Sequence, residues 1–152
     1  MSLAEKIQED VKSALKGGDK KKLSIARYLS SELKNFLIKE NLDRELSKIS
    51  DDNFYKIVKT QVKQKRESLE FAEKVGDSLK VNDLNYDIDY LNSFLPKLMG
   101  EKETHQIIID IIDKNKFISK DFGRIMGLLK KDYNNKIDLN SASKIVKDIF
   151  NE

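Results

Sequence analysis

Between Lys56 and Arg66 the chain reads "KIVKTQVKQKR", five lysine or arginine side chains in eleven positions. Lysine and arginine in such density bind phosphate, or they form a solvated face that binds nothing. Four of them, Lys56, Lys59, Lys63 and Arg66, are spaced 3-4-3. At 100° per residue that spacing places them within a wedge of about 80° on one helix. They span about 15 Å at 1.5 Å of rise per residue, enough to follow several phosphates of a folded RNA. Such contacts give salt-dependent affinity without specifying sequence. The fifth, Lys65, falls among the apolar positions Phe54, Val58, Val62, Leu69 and Ala72. It must run its stem past the core or meet a carboxylate on a neighbouring helix. Lys20, Lys21, Lys22 and Arg27 form an auxiliary basic group upstream. Tyr28, Tyr55 and Arg27 are candidates for base stacking, although no aromatic platform is visible.

Catalytic chemistry finds little support. The single histidine, His105 in "EKETHQIIID", lies near a helix start and reads as a surface residue rather than as the base of a nucleophilic pair. No GxSxG elbow and no glycine-rich nucleotide loop is present. Asp83, Asp87 and Asp89 lie on one segment without a histidine partner, so they read as solvated acids and not as metal ligands. "DFGRIMG" contains the DFG triplet, but the other kinase elements are absent. Its GxxxG spacing, Gly123 and Gly127, suggests a helix face that another backbone approaches closely; Arg124 between them is expected to be exposed. No catalytic residue, metal or cofactor is expected.

The elements that must carry these residues are helical. The chain has 152 residues, six glycines, one proline and 36% charged side chains. That composition suits an all-α protein with slender cores and disfavours an all-β one. "SLAE" at Ser2–Glu5 is a capping box opening a first helix that Gly17-Gly18 closes. Asp19 caps a second helix to about Glu40, and "NLDRELSKIS" is a loop. A third helix runs from about Asp52 to Val75, with Ser50 or Asp51 as cap. A fourth, acidic helix, about Leu79–Phe94, is its antiparallel neighbour, and its aspartates could neutralise part of the basic edge. Pro96 marks a boundary. Three shorter helices follow, at about Glu101–Lys114, Ser119–Lys131 and Asp138–Phe150, with Ser119 and Asp138 as caps. The expected architecture is an N-terminal bundle of about four helices, residues 1–95, and a three-helix C-terminal domain, residues 96–152.

Net charge is +3, too small to announce a nucleic-acid partner. Its distribution is uneven: residues 1–75 carry 17 basic and 13 acidic side chains, residues 76–152 carry 12 and 13. The positive potential belongs to the first half. The absence of cysteine excludes disulfides and thiolate chemistry. The longest apolar run, "IIIDII", is interrupted by Asp110, so no membrane span is expected. The N-terminus has no signal-peptide core, and a cytoplasmic protein is expected, or one of an organelle matrix if a targeting segment was removed.

Several separated blocks together resemble the YqeY family, free-standing relatives of the tail domain of the amidotransferase subunit GatB. They are "MSLAEKIQEDVKSALKGGDKKKLSIARYL", "VKQKRESLEFAEKVG", "LNSFLPKLM" and "DFGRIMGLLKK". The resemblance covers nearly the whole chain and implies an all-helical, two-domain fold divided near Pro96. It also implies a partner, tRNA or an aminoacyl-tRNA complex, and association with amidotransferase or synthetase proteins. The family carries a label of carbon–nitrogen ligase activity with glutamine as amido-N-donor, which we read as the company the domain keeps. Two positions depart from the family's pattern. Lys65-Arg66 stands for Arg-Arg before Glu-Ser, and the late loop reads "NNKIDLN", where Asp138 is kept and Lys136 is the only cation. A helical protein-interaction adaptor without a nucleic-acid role is the alternative reading.

Overall fold

The computed structural model describes residues 1–151. It begins with the expected capping box. The Glu5 amide donates to Ser2 Oγ at 3.1 Å and the Ser2 amide to Glu5 Oε2 at 2.6 Å. These bonds satisfy two of the donors that a helix start leaves open, and they hold the Glu5 carboxyl below its usual range. Helix α1 (Leu3–Gly17) ends where Gly18 takes a left-handed conformation. Asp19 caps α2 (Lys20–Lys39), and Ser50 rather than Asp51 caps α3 (Asp51–Val75). Gly76 closes α3 with φ 73°, a conformation a side chain would disfavour. Asp77 caps α4 (Ser78–Asn92), so this helix starts and stops slightly earlier than its sequence pattern suggests. The remaining helices are α5 (Glu101–Asn115), α6 (Phe122–Asp132) and α7 (Leu139–Ile149). No strand occurs among the described residues, and the chain is all-α.

Three local expectations need correction. "NLDRELSKIS" is not a plain loop. Its Leu46–Lys48 segment forms a 3-10 turn, and Leu46 and Ile49 are buried in the core because the segment returns across α1 and α2. Ser119 does not cap α6; it lies in a 3-10 turn, Ser119–Asp121, whose Asp121 carboxylate accepts from the Ile118 amide at 2.9 Å. The Gly123/Gly127 spacing serves no close helix approach. Ile125 and Leu129 form the buried row of α6, which puts both glycines on the opposite, exposed side, with no atom within 4 Å of where a Cβ would sit.

The contacts form two compact units, one of Met1–Leu95 and one from Pro96 onward. In the first, α1 packs along α2 and α3 along α4. Ile7, Leu29, Leu33, Phe54, Val58 and Leu91 are among its fully buried side chains. Phe54 meets the ring of Phe94 edge-on at 5.9 Å, and Phe94 meets Tyr90 at 5.0 Å. Burial of a side chain such as Phe54 contributes roughly 3 kcal/mol, so the inward face of α3 is committed to the core. In the second unit Ile108, Ile125, Leu129, Ala142 and Val146 form the core among α5, α6 and α7. There Asp138 caps α7 through the Asn140 amide, and the Lys136 carbonyl accepts from the Met99 amide. The late "NNKIDLN" loop is thus tied down locally, with Ile137 buried and Lys136 exposed.

A polar link joins three helices of the first unit. The Tyr90 hydroxyl (α4) donates to Asp10 Oδ2 (α1) at 2.8 Å, and Lys22 Nζ (α2) lies 3.7 Å from Asp10 Oδ1. Burial first, then this hydrogen bond, pushes the Tyr90 phenol far above its ordinary 10.0. A phenol kept protonated by the fold adds stability that is complete below about pH 10 and is lost as pH rises beyond it. Tyr90→Phe should therefore lose about 1 kcal/mol at neutral pH. Its deficit relative to the unmodified chain should narrow above about pH 10, as urea unfolding across that range would measure.

Candidate nucleic-acid interface

Helix α3 sorts its side chains by the 100° step. Phe54, Val58, Val62 and Ala72 are buried, while Lys56, Lys59, Lys63 and Arg66 are exposed on the neighbouring edge. The four cations lie on one unbroken helix, so their spacing is fixed by backbone geometry rather than by loop packing. Lys56, Lys63 and Arg66 form no ion pair with the described residues. Lys59 is equally exposed and does have an interaction partner.

The acidic helix α4 neutralises a different set of cations. Asp87 Oδ2 lies 3.2 Å from Lys65 Nζ, and Asp83 Oδ1 lies 3.3 Å from Lys21 Nζ. Lys65 is also placed over the Tyr28 ring of α2, 4.8 Å from its centroid. Its side chain retains 23% exposure and that of Asp87 22%. The sequence reading also counts Lys65 among the candidate nucleic-acid contacts; here it belongs to a clasp joining α2, α3 and α4, which engages its ammonium within the first unit. The clasp occupies Tyr28 as well. Tyr55 packs edge-on to Phe54 at 6.1 Å and is half-buried, which withdraws it from base stacking.

The auxiliary group divides in the same way. Lys20 and Arg27 are exposed, whereas Lys21 pairs with Asp83 across a solvated surface and Lys22 with the half-buried Asp10. An exposed pair such as Lys21–Asp83 contributes little and can be opened by a competing anion; the Lys22–Asp10–Tyr90 link is part of the fold. Of the remaining sequence candidates, His105 is exposed on α5, and Arg124 is 78% exposed, 3.9 Å from Asp121. Among the described residues no group of three or more His, Cys, Asp or Glu side chains is placed to hold a metal ion, and no helix is long and apolar enough to cross a membrane.

One residue escaped the charge-based reading. Gln61 follows Phe54 and Val58 at positions seven and three residues on, in register with the buried stripe, and it is 4% exposed. Its Oε1 has no hydrogen-bond partner. A polar side chain interrupting an apolar stripe was the available signal. It borders a groove of about 360 Å³ between α2 and α3, whose rim includes Lys39 and Lys56.

The Lys65 clasp makes a distinct prediction about stability. Lys65→Met should lower it by about 1 kcal/mol, while Lys63→Met should leave it within about 0.5 kcal/mol. A double-mutant cycle of Lys65→Met with Asp87→Asn, followed by urea unfolding, should return a favourable coupling of about 0.5–1 kcal/mol.

The family of Yqey-like proteins matches residues 4–150, nearly the whole chain. No curated protein matches it.

Proposed function

The chain belongs to the YqeY family, and from that membership and the exposed cations of α3 we propose that it is a non-catalytic module that binds tRNA or an aminoacyl-tRNA complex. Lys56, Lys59, Lys63 and Arg66 contact phosphate in this reading. Lys20 and Arg27 assist, and Lys21 joins them when the anion displaces Asp83. The role parallels that of the GatB tail domain, which the sequence resembles, and it places the protein in the cytoplasm beside amidotransferase or synthetase proteins. Residues 1–95 carry the RNA contacts, and residues 96–152 form a second domain offering a separate surface. The family's carbon–nitrogen ligase label then refers to the enzymes such a module accompanies.

One observation carries this reading. Asp87 and Asp83 of α4 are drawn to Lys65 and Lys21, and Lys56, Lys63 and Arg66 stay unpaired by the described residues on a rigid rod. Lys56, Lys63 and Arg66, held at fixed spacing on one helix without an ion-pair partner among the described residues, suit a polyanion. Their side chains supply phosphate contacts and no base-edge geometry, which fits recognition of a folded RNA by its backbone.

A second reading rests on a different observation. Phe71, Val75 and Leu79 are 65%, 61% and 77% exposed around the α3–α4 turn. Apolar side chains at a helix-hairpin tip suit a protein partner, as an adaptor without a nucleic-acid role would require.

Filter binding of tRNA separates the two. The RNA reading expects log affinity to fall linearly with log salt, with a slope near −3 for about four neutralised phosphates. Lys63→Glu combined with Arg66→Glu should reduce the magnitude of that slope by about 2 and weaken binding, with the helical circular dichroism unchanged. Phe71→Ser should leave tRNA affinity unaltered. Absence of binding at low salt, or a slope insensitive to the charge reversals, would favour the adaptor.

A further inference from the structure

Two surfaces on opposite halves of α3 lack a partner within the first unit. One is the end of the helix, where Phe71 and Val75 stand 65% and 61% exposed. They are four residues apart and so lie side by side, two large apolar side chains left in water. The other is the groove of about 360 Å³ between α2 and the first half of α3. Phe36 and Ile57 give it apolar walls, and Asn53 and Lys39 line it as well. The two halves also differ in charge. Residues 53–66 carry five cations and no acid, with Lys65 engaged by Asp87, whereas residues 67–80 carry four acids and two cations.

We propose that two copies of this chain pair through their α3 rods, antiparallel about a twofold axis at Gln64, each placing Phe71 in the other's groove. Asn53, Ile57, Thr60, Gln64, Glu67 and Phe71 recur at 4-3-4-3-4 spacing, the seam that one helix presents to another. Thr60, Gln64 and Glu67 are exposed, and Asn53 and Ile57 are half-buried, so the seam is open along its length. With Gln64 on the axis, Phe71 comes opposite Ile57 of the second copy and Val75 opposite its Asn53. Both apolar ends are then covered in one closed, self-complementary contact. The basic half of each rod lies along the acidic half of the other, and Lys63 comes within about 3 Å along the axis of facing the second copy's Glu67. Neither Lys63 nor Glu67 has an ion-pair partner among the described residues. Lys56 and the second copy's Lys74 also meet, and their flexible stems let the ammonium groups splay into water. The apolar contacts supply the attraction and the charges fix the direction. This pairing does not rest on the RNA reading, and it gives the exposed end of α3 a partner of its own sequence.

The chain has no cysteine, so a single introduced thiol reports its own pairing. In an antiparallel pair centred on Gln64, that residue is the one on the seam that meets its own copy. Gln64→Cys in the full chain should therefore cross-link to itself under copper–phenanthroline oxidation. Glu73→Cys, also exposed but about 160° away from the seam, should cross-link at the background rate. The expected ratio of rates is at least about tenfold, and adding Phe71→Ser to Gln64→Cys should bring it down to background. Sedimentation equilibrium of the unmodified chain, from about 10 µM to about 1 mM, should give a mass that rises toward twice the monomer's and stops there.

A mass that stays at the monomer's throughout would overturn the pairing, and so would one that grows past the dimer, which requires an open head-to-tail contact instead. Equal cross-linking at Gln64→Cys and Glu73→Cys, or a Gln64→Cys rate indifferent to Phe71→Ser, would overturn it too. The mass is measured on the unmodified chain, so it decides the matter whether or not a variant folds. All of these measurements are made without RNA, so their outcome is separate from that of tRNA binding.

Discussion

Lys65 projects from the packed side of α3, where its ammonium lies 3.2 Å from the Asp87 carboxylate and 4.8 Å from the centroid of the Tyr28 ring. That clasp determines how charge is distributed over the first unit. A lysine set among Val58, Val62 and Leu69 cannot remain without a counter-charge at low cost. The acidic helix supplies one. Asp87 is consumed in this way, and Asp83 is turned to Lys21. The exposed edge of α3, one third of a turn away, is left with its own cations. The internal ion pair and the external basic row are thus two consequences of a single packing choice.

The rigidity of that row has the same origin. Helix α3 is 25 residues long, closed at one end by the Ser50 cap and at the other by left-handed Gly76. Its inward face is fixed by Phe54, Val58 and Val62 in the core that α2 and α4 complete. A rod held along its length presents side chains at a constant interval, which favours an extended polyanion over a single small anion.

Much of this was legible in the residues. The caps Ser2, Asp19, Ser50 and Asp138, the stops Gly18 and Gly76, and the 3-4-3 row of cations follow from short-range rules that tertiary packing did not override. So did the two fates open to Lys65, of which the carboxylate partner is the one realised. Features that depend on which face packs were less legible. Gly123 and Gly127 carry the spacing of a close-approach motif, but Ile125 and Leu129 claim the core side of α6 and turn the glycines outward. Ser119 has the chemistry of a cap, yet the backbone there winds as a 3-10 turn and Asp121 takes the bond. Leu46 and Ile49 were hidden in a charged segment whose burial arises only when it crosses α1 and α2. Gln61 shows the limit most clearly: its position in the stripe predicts burial, but the missing partner is a property of the assembled helices.

Amine acylation of the intact chain, followed residue by residue with and without tRNA, tests this account most directly. Without RNA, Lys56 and Lys63 should react quickly and Lys65 slowly, because its ammonium is held against Asp87 and Tyr28. With tRNA at low salt, Lys56 and Lys63 should become protected while the rate at Lys65 stays the same. Lys65 reacting as fast as its neighbours, or tRNA leaving Lys56 and Lys63 unprotected, would contradict the separation of an internal clasp from an outward, phosphate-binding edge.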